Sequence, residues 1–171
     1  MNHTVNPHVS VDCVIFGFDN ERLNVLLIER SAGNIPVAVQ YALPGDLVWE
    51  EESLDDAASR VLKELTNLEG IYLKQFKAFG NPNRVNDFKD LDWLQSYRQQ
   101  PQARVITVGY YAFIRMDELQ PEASSFAEKV FWRDIHEIPL LGFDHNEIVD
   151  EAIEVLRNDF DSNKVGFELL P

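Results

Sequence analysis

The chain has 171 residues, with 15 Lys and Arg against 29 Asp and Glu, and a formal charge of −14 at pH 7. That length suits one globular domain whose core needs no disulfide or metal staple. A composition of 45% hydrophobic and 26% charged residues excludes a disordered or fibrous chain. A surface this acidic repels phosphate backbones, so these residues by themselves are not expected to bind nucleic acid.

The single cysteine, Cys13, rules out an internal disulfide framework and a Cys-rich zinc site. Within the apolar run VSVDCVIFGF it reads as a small core residue, not a nucleophile. No run approaches the roughly 18 apolar residues of a membrane span, and the polar N-terminus lacks a signal peptide's apolar stretch. A cytoplasmic protein without membrane contact is expected.

In chain order, residues 9–18 alternate like a buried strand, and Asp19 to Arg22 make a polar turn into a second strand over 23–29. Residues 31–40 read as a loop, and Tyr41-Ala42-Leu43 as a short strand stopped by Pro44-Gly45. The clearest helix covers 53–68. Ser53 and Asp56 have capping-box spacing, and Leu54, Ala58, Val61, Leu65 and Leu68 form one apolar stripe. A strand over 71–79 is followed by a long polar segment, 80–102, in which Leu91, Leu94 and Tyr97 suggest a short amphipathic helix. Strong strands follow at 105–114 and 129–132. A last helix starts at Asp144, paired with Glu147 as a cap, and buries Ile148, Ala152, Val155 or Leu156, and Phe160. Strands with a mid-chain and a C-terminal helix predict an α/β/α or α+β sandwich.

The informative text is ALPGDLVWEEESLDDAASRVLKELTNLEGIYL. It resembles the Nudix box, G-x5-E-x7-R-E-U-x-E-E-x-G-U, with U a bulky aliphatic residue. Three glutamates at i, i+3 and i+4 share a helix face in that box and hold divalent cations against a phosphoanhydride. Gly45 matches the opening glycine, Arg60 the arginine, and Glu52 (or Glu51) the first glutamate. Glu64 is the one metal glutamate that survives; Val61 and Leu65 replace the other two. Asn67 replaces the glycine, a fair exchange at a left-handed helix end. Glu64 and Glu52 are thus the candidate metal ligands, and Glu64, Arg60 and Glu52 the candidate catalytic residues.

The rest of the chain is similar to one Nudix subgroup, the Nudix-related transcription regulators of nicotinamide salvage or sugar catabolism. The likeness runs through VSVDCVIFGFDNERLNVLLIER, FGNPNR, ARVITVGYYA and GFDHNEIVDEAIEVLR. It implies an α/β Nudix-type sandwich with a mixed sheet over residues 1–160. It also implies a linker, 161–171, leading to a winged helix-turn-helix outside this chain. Binding of a sugar, sugar phosphate or ADP-ribose-like effector without cofactor is the implied activity, with DNA contacted through the further domain by a homodimer. The alternative is an active hydrolase of a nucleoside diphosphate derivative such as ADP-ribose. That enzyme would use Mg²⁺ or Mn²⁺, Glu64 with Glu51 or Glu52, and an outside carboxylate such as Glu128.

Four residues are expected at the ligand: Arg84 and Arg104, which flank the long loop and suit phosphate or hydroxyl pairs, Glu51, and Pro82. Pro82 stands fifteen residues after Asn67, near the marker proline of the family's ADP-ribose pyrophosphatases. Phe88, Trp93 and Tyr97 in the long segment are read either as interface anchors or as a cover over the pocket. His145 is expected to pack or cap, and His3 and His8 have no metal spacing.

Overall fold

One long strand organises the sheet. In the computed structural model, which describes residues 2–31 and 39–161, β1 (Val5–Phe18) shares one edge, from Val9 to Phe18, with parallel β6 (Ile106–Arg115). Its other edge is divided. The N-terminal part pairs with β4 (Gly45–Trp49), and Phe16 to Phe18 pair with β2 (Leu23–Arg30). Beyond β2 lie β3 (Tyr41–Ala42) and β7 (Ala127–Asp134), and beyond β6 lies β5 (Lys74–Phe79). The seven strands form one mixed sheet, parallel only between β1 and β6.

Strand alternation sends successive residues of β1 to opposite layers. Val11, Cys13 and Ile15 pack on α1 (Leu54–Thr66) through Ala57, Ala58, Val61, Leu62 and Leu65. Val14 and Phe16 pack on α3 (His145–Asp161) through Ile148, Val149, Ala152 and Leu156. The expected α/β sandwich with a mixed sheet is therefore present. Cys13 is fully buried, and burial pushes its thiol well above the ordinary range, as suits a core residue. No helix among the described residues is long and apolar enough to cross a membrane.

Local chemistry explains the α1 boundaries. The Ser53 hydroxyl accepts from the Asp56 N–H at 3.1 Å, Asp55 and Asp56 sit in the first turn, where the helix dipole favours them, and Asn67 closes the helix at φ 60°. Three expectations need correction. Pro44-Gly45 does not end the pairing: the Pro44 carbonyl accepts from the Cys13 N–H at 2.8 Å and the chain continues as β4. Residues 71–73 precede β5 instead of belonging to it. Asp144 is not free to cap α3, because its carboxylate is held by Arg84. The short helix foreseen in the long segment is α2 (Phe88–Tyr97), though its buried face is Asp90, Trp93 and Leu94. The expected linker, apart from Asp161 in α3, lies outside the described residues.

Candidate functional site

Two polar centres lie on either side of β4. The first is built by α1. Arg60 donates from Nε to both Glu52 oxygens at 3.1 and 2.9 Å, and from Nη2 to Glu52 Oε1 at 2.6 Å and the Leu47 carbonyl at 3.1 Å. Its Nη1 donates to Glu64 at 3.0 Å. The guanidinium carbon lies 3.7 Å from the centre of the Trp49 ring, and His3 stacks on that ring at 3.6 Å and 7°. Two groups that close to one centroid cannot share a face, so Trp49 is clamped between them. His3 also pairs with Glu51. Burial pushes the Glu52 carboxyl up, but the Arg60 hydrogen bonds and the Trp49 N–H outweigh it and hold the group below its usual range.

This centre brings Arg60, Glu52 and Glu64 together, as the box spacing implies, but as an ion-pair knot. Val61 and Leu65 are 0% and 1% exposed and belong to the core. A Mg²⁺ ion needs near-octahedral oxygen ligation. The only box carboxylates left already neutralise Arg60, and Glu128 is exposed on β7. Among the described residues no group of three or more His, Cys, Asp or Glu side chains could hold a metal ion. The residues present do not fit a Nudix metal cluster.

The second centre is interior. Asp12, near the middle of β1, accepts from Thr107 at 2.6 Å, meets His145 Nε2 at 3.1 Å and lies 4.0 Å from Arg84. His145 Nδ1 accepts from the Leu43 N–H at 3.0 Å, which leaves Nε2 as the donor to Asp12. Burial raises the Asp12 carboxyl, but His145, Arg84 and Thr107 together hold it below its usual range. Gly45 is the residue that lets this carboxylate in: a Cβ there would stand 2.0 Å from Asp12 Oδ1. Arg84 grips Asp144 with two bonds, at 3.0 and 2.7 Å, and donates to the Val105 carbonyl at 3.3 Å.

Next to it, Arg30 at the end of β2 runs inward to Asp90 of α2 at 3.1 Å, with both side chains essentially unexposed. Asp90 also accepts from the Phe143 N–H at 2.9 Å, and Lys89 donates to the Leu141 and Phe143 carbonyls. Phe143 sits at φ 51°, a left-handed backbone rare for an aromatic residue and kept here by surroundings that fix it from several sides. Trp93 is 1% exposed, with the Arg30 and Arg98 guanidiniums 5.1 and 4.7 Å from its ring centre and Tyr97 stacked on it. These groups enclose a cavity of about 40 Å³. A cleft of about 270 Å³ between β4 and the 97–105 segment adjoins it through Asp46, Leu47, Leu94, Arg98 and Val105.

Of the residues expected at the ligand, Arg84 lines the cavity, while Arg104, Pro82 and Glu51 line neither space. Arg104 is exposed and donates to the Gly80 carbonyl. Trp93 covers the cavity and Tyr97 the cleft, whereas Phe88 is 88% exposed. Sequence reading missed Asp12, Arg30, Asp90 and Phe143. The one available signal was a carboxylate inside the apolar run of β1.

The NUDIX domain model matches residues 6–152. The chain is 29% identical over 170 residues to the ADPR responsive transcriptional repressor NtrR of Acinetobacter baylyi, a match that covers 97% of this chain and 61% of that protein. It is 28% identical over 147 residues to the ADP-ribose pyrophosphatase of Methanocaldococcus jannaschii, covering 86% of this chain and 73% of that one. The NUDIX domain of Shewanella oneidensis NrtR, solved as a complex with ADP ribose, superposes with a TM-score of 0.69 at 27% identity, over 88% of this chain and 89% of that one.

Proposed function

The chain belongs to the NUDIX domain family, and from that premise we propose that it is the effector-sensing domain of a transcription regulator. It binds an ADP-ribose-like metabolite or a sugar and does not turn it over efficiently. The observation that carries this reading is the Arg60 knot, which spends Glu52 and Glu64 on a guanidinium while Val61 and Leu65 fill the core. Likeness to an ADPR responsive repressor over 97% of the chain supports it.

On this reading the ligand enters the cleft and reaches inward toward Arg84. Arg104, Glu51 and Pro82 touch only a ligand long enough to extend onto the rim. The domain spans residues 1–160, DNA is contacted through a winged helix beyond 161–171, and the whole acts in the cytoplasm as a homodimer. Light scattering should then give about twice 19.7 kDa; a monomer at high concentration would remove the dimer.

The deciding experiment is an assay of ADP-ribose hydrolysis with Mg²⁺ and Mn²⁺. Little or no turnover is expected. Robust turnover abolished by Glu64→Gln would establish the second reading, an active hydrolase, which the likeness to an ADP-ribose pyrophosphatase favours. A bound effector at 100 times its Kd should stabilise the fold by roughly 2.7 kcal/mol, or about 5–11 °C in Tm.

A further inference from the structure

The long segment after β5 builds a unit of its own. α2 rests on neither of the two main layers: Val85, Trp93 and Leu94 form a small separate core, with Val105, Phe126 and Phe143 packed against it. Elements that bury little apolar surface shift at low free-energy cost. The two ends of α2 meet different parts of the molecule. Leu94, Tyr97 and, at the C-terminal cap, Arg98 line the cleft, and Arg98 pairs with Asp46 of β4 at 2.9 Å. That ion pair joins the two walls of the cleft, so a molecule that parts the walls breaks it.

The other end of α2 holds the segment that starts α3. Lys89 Nζ donates to the Leu141 and Phe143 carbonyls at 2.7 and 2.6 Å, and Asp90 accepts from the Phe143 N–H at 2.9 Å. The Trp93 and Phe143 rings meet edge to face at 5.9 Å. So held, Phe143 stays at φ 51°, a left-handed backbone that costs an aromatic residue free energy and persists only where neighbours impose it. The first turn of α3 follows at once. The His145 N–H donates to the Gly142 carbonyl and the Ile148 N–H to the Asp144 carbonyl, both at 3.1 Å.

We propose that α2 is a lever coupling the cleft to the first turn of α3, with the strained backbone at Phe143 as its two-position joint. Gripped by Lys89 and Asp90, the joint is closed; released, Phe143 relaxes to negative φ and the turn over 142–148 loosens. Coupling requires an element whose balance both sites bias, and α2 touches both. The inference rests on the effector-sensing reading and gives it a route, since α3 is the element that precedes the expected linker.

The test is site-resolved hydrogen exchange of the intact chain, read at the His145 and Ile148 amides, with the Ala57 amide at the start of α1 as reference. Asp46→Asn takes the ion-pair partner of Arg98 from the far wall of the cleft and leaves α2 and the 141–145 loop unaltered in sequence. It should speed exchange at His145 and Ile148 about threefold and leave Ala57 unmoved. Lys89→Met should speed the same two amides about tenfold, and adding Asp46→Asn to it should bring no further change, because the lever is already disconnected. Lys89→Gln takes its place if Lys89→Met fails to fold. ADP-ribose is the probe ligand, and its binding should alter exchange at the two amides in the parent chain but not in the Lys89 variant. No effect of Asp46→Asn at α3, equal acceleration at all three amides, or additive effects of the two substitutions overturns the lever. ADP-ribose that binds and leaves α3 unmoved overturns the lever and leaves the sensing domain standing. If ADP-ribose does not bind, that failure belongs to the sensing reading, and the Asp46 and Lys89 variants decide the lever by themselves.

Discussion

Arg60 and Arg30 carry the same side chain into two differently finished surroundings. All three nitrogens of Arg60 donate to carboxylates, one of them also to a carbonyl, and an indole face covers the group. Arg30 is the more deeply buried of the two, yet among the described residues only its Nη2 finds acceptors. A guanidinium with every donor used is a strut, and removing it harms the fold. A buried guanidinium with unpaired donors carries a desolvation cost that its remaining contacts must offset. Here the residues at the box positions form the strut, and the guanidinium donors without a partner among the described residues are those of Arg30.

The strongest way to break this contrast is to rebuild the metal face. Val61→Glu with Leu65→Glu places two carboxylates at positions 0% and 1% exposed, and the penalty is several kcal/mol per ion. Cooperative unfolding should be lost or strongly weakened in a thermal melt, with partial recovery in Mn²⁺ as Glu64 gains company. A double variant as stable as its parent would show that this stripe is not core.

Next in size is the strut itself. Arg60→Ala leaves Glu52, 10% exposed, without its partner and should lower urea-unfolding stability by about 2–4 kcal/mol. Glu64, 40% exposed, is screened by solvent, so Glu64→Gln should cost less than about 1 kcal/mol. Equal costs would mean that the knot has no buried heart. On the other side of the comparison, Gly142→Ala pushes a methyl group onto the Arg30 guanidinium and should cost about 1–3 kcal/mol as overpacking. An unchanged urea midpoint would show that Arg30 can leave its slot freely.

The smallest effect is on pH. Asp12 and Glu52 are both held below their ordinary values of 3.8 and 4.5. A carboxyl lowered on folding contributes stability above its unfolded pKa and loses it as pH falls through the folded one. The urea midpoint should therefore decline in acid from roughly pH 5 downward, and Glu52→Gln should flatten part of that decline. Identical acid profiles would remove Glu52 from the account.

What could be read in the sequence was what is local. The Ser53 cap and the α1 stripe follow from spacings of three and four residues, the left-handed Asn67 from its place in the box, and all are present. The Arg60–Glu64 pair was legible for the same reason. The cavity was not, because its contacts are long-range: Arg30 meets Asp90 and Arg84 meets Asp144, each 60 residues apart. Nothing in the text near Arg30 distinguishes it from an arginine ending a strand in solvent. Strand β4 was missed because proline followed by glycine reads as a stop, whereas here the proline needs only its carbonyl and the glycine only its missing Cβ.

The position of Trp93 has an optical consequence. Of three tryptophans, it alone is fully buried, with Trp49 and Trp132 partly exposed. An indole removed from water emits to the blue, and two guanidiniums near its ring make that emission sensitive to any rearrangement of charge. A molecule entering the cavity changes the solvation, the hydrogen bonding and the electric field at this one chromophore. Occupancy can therefore be followed without a label, as a change in tryptophan fluorescence that Trp93→Phe silences.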